Sequence, residues 1–396
     1  MEAGVALKIL VLGADGYCGW AACLHLSAQG HEVVASDNYV RRDTWDHYRL
    51  RSCATGIAGA NEPLYPVRPV HERLSTWEKV SGRRVSFVSA ELENYEEVAA
   101  LLDATRPDTV VHFAEQRSAP FSNLSPQHAL ETLKNNTFST YNLLEAISRV
   151  DPRIHLVKLG TMGEYGYTPH ENFIEEGSID FPKRPASPYH MTKCMDSIAL
   201  EMMRRIYQLR VTDLHQGVVY GATTAETAMD RDLHNRFDYD GVWGTVINRF
   251  CVQALAGTPL TIYGAGGQSR GIISLQDAVQ CIELAILHPA KPGEMVVRNQ
   301  ITEILSVQAI ARHVAAACER LEIRCEAHHC YNPRLENEGH DLKVRFGGFT
   351  TLGLVPRTLE DTLVESDLPF LAKFKDDIRL DLLSNQTLAD WRKRDA

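Results

Sequence analysis

The chain has 396 residues and a formal net charge of −10. That length permits a large core in one or two domains, and the acidic balance argues against nucleic acid or an anionic membrane as the main partner. No apolar run reaches the ~18 residues of a membrane-spanning helix, residues 1–7 are too short for a leader before the first strand, and the nine cysteines, scattered and odd in number, suit reduced thiols in a cytoplasmic protein.

Lys8-Ile9-Leu10-Val11-Leu12 is a short apolar run with the look of a buried parallel strand. Gly13-Ala14-Asp15-Gly16-Tyr17-Cys18-Gly19 follows, then an amphipathic helix to about Gln29. In this spacing Gly13 allows a tight turn, Gly16 lets a pyrophosphate approach the backbone, and Gly19 lets helix pack on strand. The helix N-terminus would then face the phosphates, so Asp15, Tyr17 and Cys18 join the glycines in the expected cofactor set. Residues 31–37 read as a second strand ending in Asp37. An acid there can accept hydrogen bonds from an adenosine ribose and repel a 2′-phosphate, so NAD is expected over NADP. Asn38, Arg41 and Arg42 stand beside it, and the arginines suit cofactor phosphates.

Residues 49–82 look irregular, with a helical patch at 70–80. Strands are expected at 85–88, 109–114, 154–159 and 211–214, and helices at 96–104, 131–149 and 194–209. Strands alternating with helices imply an α/β fold with a doubly wound parallel (Rossmann) sheet. Ligands bind beyond the carboxyl ends of such strands, where Gly13, Asp37, Glu115, Thr161 and Gln216 fall. Phe113, Glu115 and Asn136 complete the cofactor set. Gln116, Arg117, Met162, Gly163, Glu164, Gln216 and Val219 are expected on the substrate.

The remainder reads as a smaller C-terminal substrate-binding domain. Residues 225–244 are polar and expected to form a loop, 245–256 and 277–288 helices, and Tyr263-Gly264-Ala265-Gly266-Gly267-Gln268-Ser269-Arg270 a glycine-rich turn. Arg249, Tyr263 and Gln268 are expected on the substrate, with Arg270 and Arg334 clamping a diphosphate through paired hydrogen bonds. The expected division is 1–215 for the NAD-binding domain and 216–396 mainly for the substrate, with parts near 245–290 returning to the sheet. The charged end, 390–396, is expected to be loose.

Ser187-Pro188-Tyr189-His190-Met191-Thr192-Lys193 carries the chemistry. The spacing puts Tyr189 and Lys193 one helical turn apart, facing the same way. A phenol titrates near ~10, too high for a base at neutral pH, and an ammonium beside it favours the phenolate. A hydroxyl from Thr161 completes the hydrogen-bonded set. Such a triad removes a proton from an alcohol while a nicotinamide takes the hydride. On its own the pattern is short, and a solvated pair on a helix face would explain it. The glycine loop upstream supplies the missing hydride acceptor.

Two other stretches invite a site. Cys325-Glu326-Ala327-His328-His329-Cys330 has soft ligands in close spacing. No second cluster completes a tetrahedral set and the alternation over 323–331 suits a strand, so no metal is expected. Cys194 beside Lys193 reads as a packing residue, since hydride chemistry requires no thiol.

The glycine loop, Asp37, Thr161, Tyr189-x-x-x-Lys193 and the 264–270 turn together resemble the extended short-chain dehydrogenases/reductases, the NAD-dependent epimerase/dehydratase family acting on nucleotide sugars. Within it the chain is most similar to the UDP-sulfoquinovose synthases, on 15–20, 115–120, 158–166, Asp213 with 216–221, and 248–253, with the likeness running over 7–354. The resemblance implies a redox-neutral sequence on a UDP-sugar. Tyr189, helped by Lys193 and Thr161, takes the proton of the sugar 4-OH while NAD takes hydride from C4. The 4-ketone makes the C5 hydrogen acidic, water is lost to give a 4-keto-5,6-ene, sulfite adds at C6, and the hydride returns. His190 is assigned the proton work at C5 and C6, since imidazole suits neutral pH. The 4,6-dehydratases of the wider group usually carry Asp-Glu after the threonine, where this chain has Met162-Gly163.

The chain departs from the synthase pattern in a shortened 167–188, in Ser89-Ala90 for Gly-Asp, and in His215 for Asn. An NDP-sugar 4-epimerase or related dehydratase using no sulfite therefore stays open. So does an NAD-binding regulatory protein without turnover, although a pure binder has no need of the base. A homodimer or higher homo-oligomer is the family-level expectation.

Overall fold

The computed structural model describes residues 6–42, 62–166, 173–177, 183–334 and 339–384. Residues 49–61 of the irregular stretch expected over 49–82, residues 167–172 and 178–182 of the shortened 167–188, and the charged end lie outside the described residues.

Strand β1 (Lys8–Leu12) is buried on both faces, as its unbroken apolar run requires. Helix α1 (Tyr17–Ala28) follows it directly, then β2 (Glu32–Asp37), α2 (Val70–Ser81), β3 (Val85–Ser89), α3 (Tyr95–Thr105) and β4 (Thr109–His112). The second half of the sheet comes from α4 (Pro126–Val150), β5 (His155–Thr161), α5 (Pro188–Tyr207) and β6 (Arg210–Gln216). After β7 (Val218–Tyr220) the chain adds α6 (Val246–Leu255), β8 (Leu260–Tyr263), β9 (Ser269–Ser274), α7 (Leu275–Leu287) and β10 (Met295–Gln300). The described chain continues with β11 (Glu303–Ser306), α8 (Val307–Arg320), β12 (Ala327–Cys330) and short helical turns.

Seven strands form one sheet in the order β10-β6-β5-β4-β1-β2-β3, every neighbour pair parallel. The order reverses between β1 and β4, which opens a crevice at their carboxyl ends. Two small sheets, β11-β9-β7 and β12-β8, lie outside it.

Four local readings need adjusting. Helix α4 begins at Pro126, ahead of the expected 131, because Ser125 caps it by accepting the His128 N–H at 3.4 Å and a proline suits the first turn. The strand that returns to the large sheet is 295–300, beyond the expected 245–290; from that stretch α7 packs on α1. The strand expected over 323–331 shrinks to β12 and pairs with β8, which the sequence did not signal. The polar segment 225–244 is a loop apart from one helical turn at 231–233, yet Thr227, Leu233, Asn235 and Phe237 in it are fully buried. It is stitched to α1 by polar groups: Trp20 Nε1 donates to the Leu233 carbonyl at 2.8 Å and Asn235 Nδ2 to the Tyr17 carbonyl at 2.6 Å. Buried loop backbone needs such partners.

Candidate active site

Two joined cavities open at the crevice. The first lies over the glycine loop. Gly13 sits at φ +79°, and a Cβ there would stand 2.7 Å from the Ala114 nitrogen across the switch point. A Cβ on Gly19 would stand 2.0 Å from the Gly13 oxygen, so strand and helix meet only because both are glycine. Gly16 caps α1 with no side-chain hydrogen bond, and no acid stands in the first turn. The free N–H groups and the helix dipole there favour an anion. Asp37 accepts the N–H of Asp15 at 2.9 Å and of Tyr39 at 2.8 Å. Burial, and then the charge of Asp15, push its carboxyl up to about 6. Tyr17, Cys18, Asn38, Arg41, Phe113, Glu115, Gln116 and Lys193 are also in the lining, with the glycines and Asp37.

Three residues expected on the cofactor lie elsewhere. Asp15 and Arg42 face one another, and Arg73 Nη1 reaches the same carboxylate at 2.9 Å. Asp15 is 5% exposed, and a carboxylate buried that far needs cationic partners. Arg42 also donates to the Val67 and Arg68 carbonyls at 3.1 and 2.7 Å, pinning the incoming chain. Asn136 grips the backbone of Gln116, accepting its N–H at 2.8 Å and donating to its carbonyl at 3.0 Å.

The second cavity is lined by Thr161, Met162, Gly163, His190, Val219, Arg249, Tyr263, Gln268, Arg270 and Arg334. Tyr17, Arg117, Tyr189 and Gln216 line both, so the phenol stands where the cavities meet. Gln116, expected on the substrate, lines only the first and bonds the Ser118 carbonyl at 2.9 Å and Thr132 Oγ1 at 3.0 Å. Arg249 and Arg334 lie 5.4 and 5.7 Å from the Tyr263 ring centre, a cationic group around one aromatic face. Glu164 is a correction: it is fully buried under the floor, accepting from Lys183 at 2.6 Å and Ser197 Oγ at 2.7 Å.

Thr161 ends β5, and its hydroxyl accepts the Gly163 N–H at 3.1 Å. Ser187 caps α5 by accepting the His190 N–H at 3.1 Å, which sets Tyr189 in the first turn. The Lys193 ammonium is 5.9 Å from the Tyr189 ring centre. It is ion-paired with Glu115 and donates to the Leu159 carbonyl. Burial and then the Glu115 charge raise the Tyr189 phenol; Lys158 and a hydrogen bond from Thr161 pull the other way without winning. The expected lowering by Lys193 is therefore not the net result, because burial, and then the Glu115 charge, outweigh the groups that lower the phenol.

Sequence reasoning gave Lys158 no role beyond its place in the 158–166 stretch. It is fully buried in β5, with its ammonium 2.7 Å from Glu115 and 3.1 Å from Asp196. Burial alone would raise Glu115, but Lys158 and Lys193 outweigh it and hold the carboxyl well below the usual range.

Among the described residues the metal-type donors that come together are Glu164, Asp213 and His215, not those of 325–330. Lys183 pairs with Glu164, while both carboxylates share Ser197 and a His215 ring whose Nδ1 meets the Tyr165 hydroxyl at 2.8 Å. Burial opposes the charged imidazole, but Glu164 and Asp213 outweigh it and raise His215.

The profile of the NAD dependent epimerase/dehydratase family matches residues 9–297. The chain belongs to this family. A relative from Spinacia oleracea, UDP-sulfoquinovose synthase, chloroplastic, is 43% identical over 397 residues, covering 98% of this chain and 79% of that one. The UDP-sulfoquinovose synthase of Sulfolobus acidocaldarius is 39% identical over 386 residues, covering 93% and 95%. Among solved structures, the UDP-glucose 4-epimerase of Thermotoga maritima with UDP-glucose superposes with a TM-score of 0.67 at 20% identity, covering 93% of this chain and 99% of that one. The UDP-glucuronic acid 4-epimerase of Bacillus cereus, in complex with UDP-glucuronic acid and NAD, gives 0.67 at 18% identity with the same coverage. At those identities the likeness establishes the shared fold.

The first cavity fits the dinucleotide of this family: a side-chain-free cradle at 13, 16 and 19, unclaimed helix N–H groups, and an acid at the end of β2. Sequence reasoning missed Trp243 and Arg236 in its wall and His340 in the second cavity. They come from segments without a motif. Trp243 carries the Arg41 guanidinium 3.6 Å from its ring centre, and Asp238 joins Arg41, Arg117 and Arg236 into one group.

Proposed function

We propose that this chain is a UDP-sulfoquinovose synthase: it oxidises UDP-glucose transiently at C4, eliminates water across C5 and C6, adds sulfite at C6, and restores C4. The observation that carries this reading is the pairing of Gly163 with His190. A Cβ at 163 would stand 2.3 Å from His190 Cδ2, so the imidazole fills the space a side chain there would take. An acid–base ring on α5 thus serves the cavity from the place where a dehydratase-type glutamate would project. The likeness to the two synthases along nearly the whole chain supports the same choice.

Gly13, Gly16, Gly19 and the N-terminus of α1 hold the cofactor pyrophosphate, and Asp37 the adenosine ribose. Bound NAD supplies the acceptor for the C4 hydride and the source of its return. Arg249, Arg270 and Arg334 neutralise the sugar nucleotide's diphosphate, with Tyr263 against them. Tyr189 accepts the proton of the 4-hydroxyl while Thr161 hydrogen bonds to it. His190 moves the protons at C5 and C6, where elimination needs a base and then an acid. The α5 and α4 faces carrying exposed Met195, Ile198, Phe138 and Tyr141 support a homodimer. A cytoplasmic location belongs to the same reading, supported by free thiols at the described cysteines; no described helix is long and apolar enough to cross a membrane.

Incubation of purified protein with NAD and UDP-glucose, with and without sulfite, tests the reading by product mass. A sulfite-dependent sulfonate on the sugar is the expected result. Inversion at C4 indifferent to sulfite would make the protein a 4-epimerase.

A further inference from the structure

Lys158 is fully buried and touches neither cavity, yet it stands one carboxylate away from the catalytic pair. One oxygen of Glu115 takes the Lys158 ammonium at 2.7 Å, and the other takes Lys193. Thr140 Oγ1 donates to the first oxygen at 2.6 Å, which fixes the carboxylate plane. Without Lys158, Glu115 would have a single cation to neutralise, and that cation is the one facing Tyr189.

We propose that Lys158 is a positioning residue for the tyrosine base: by engaging one side of Glu115 it keeps the Lys193 charge from being cancelled beside Tyr189. This rests on Tyr189 acting as the base. The groups facing the pair are His112, Glu115 and Arg117 from β4 and the segment after it, Lys158 from β5, Asp213 from β6, and His190, Lys193 and Asp196 from α5. Among them Glu115 raises the phenol, while Lys158 and Arg117 lower it. Asp196 also faces Lys158, at 3.1 Å, with its carboxyl raised well above the usual range by burial and then by Glu115. Each charge at hydrogen-bonding range moves a neighbour's titration by about one unit or more.

The test follows the pH profile of cofactor reduction in a single turnover, with NAD-loaded protein mixed with UDP-glucose. Lys158→Met is expected to move the acidic limb to higher pH, and Lys158→Arg to return it. Glu115→Gln is expected to move the limb the opposite way, and the double variant to fall between. A uniform loss of rate with an unmoved limb in Lys158→Met would overturn the proposal. If Lys158→Met does not fold, an unmoved or upward limb in Glu115→Gln overturns it equally. Tyr189→Phe run in parallel separates the two claims: a wild-type limb that survives in Tyr189→Phe contradicts the base itself, whereas a limb lost there but unmoved by Lys158→Met contradicts only the role of Lys158.

Discussion

The ring of His190 lies against Gly163, on the last strand-to-helix turn before the cavity, and leaves no room for a Cβ. Replacing Gly163 with Ala would put a methyl 2.3 Å from Cδ2 and 2.5 Å from Nε2 of the imidazole. The ring must swing, and the cavity floor with it. Displacements near 1 Å at reacting groups cost on the order of 100-fold in turnover. The expected outcome is a loss of that order in sulfonate formation with NAD affinity unchanged, read by steady-state rates and cofactor titration. Unchanged turnover would separate His190 from the chemistry.

Tyr189→Phe keeps the ring but removes the hydroxyl proposed to accept the proton. General-base loss is worth roughly 10²- to 10⁴-fold. Turnover is expected to fall by that factor while NAD binding, proposed to rest on the glycine loop and Asp37, stays. Rapid-quench assays and a binding titration check the two halves separately.

The glycine loop and Tyr189-x-x-x-Lys193 were legible because each pairs a fixed spacing with a strand before or a helix after it. The parallel sheet followed from the alternation of apolar runs and periodic segments. Lys158 was illegible for a physical reason: a lysine in a strand reads as a surface residue, and only the fold brings Glu115 and Asp196 to it. Asp15 and Arg42 failed the opposite way. Both suit a cofactor by type and place in the chain, but Arg73, contributed by α2, draws the carboxylate into an ion pair behind the loop. The polar content of 225–244 marked it as a loop but gave no sign of its burial, since nothing local reveals that Trp20 and Asn235 stitch it to α1.

Gly19→Ala should test the cradle itself. Its Cβ would stand 2.0 Å from the Gly13 oxygen, which belongs to the backbone and cannot rotate away. Overpacking of this kind costs typically 1–3 kcal/mol. Reduced NAD affinity together with a lowered melting temperature is the expected result, measured by titration and calorimetry.

Away from the cavities, His25 joins three elements. Its Nδ1 meets Glu226 at 2.9 Å and its Nε2 meets Glu283 at 2.8 Å, tying α1 to the buried loop and to α7. Burial works against the imidazolium, but the two carboxylates outweigh it and raise His25 to about 9 from 6.5. A raised pKa in the fold stabilises fully below the unfolded value and is lost as pH rises through the folded one. The contribution, on the order of 3 kcal/mol, is therefore present at pH 6 and largely gone above pH 9. Thermal unfolding of wild type and His25→Gln across that range should show two melting curves converging as pH rises.

The central claim is a C4 oxidation that acidifies C5, followed by elimination and sulfite addition. Solvent isotope position tests it most directly: the reaction is run in D2O with UDP-glucose and sulfite, and the product sugar is read by NMR. The account predicts a sulfonate at C6, solvent deuterium at C5, and protium at C4, since the hydride removed there is the one returned. A product with protium at both C4 and C5 and no sulfonate would contradict it, leaving C4 chemistry without elimination.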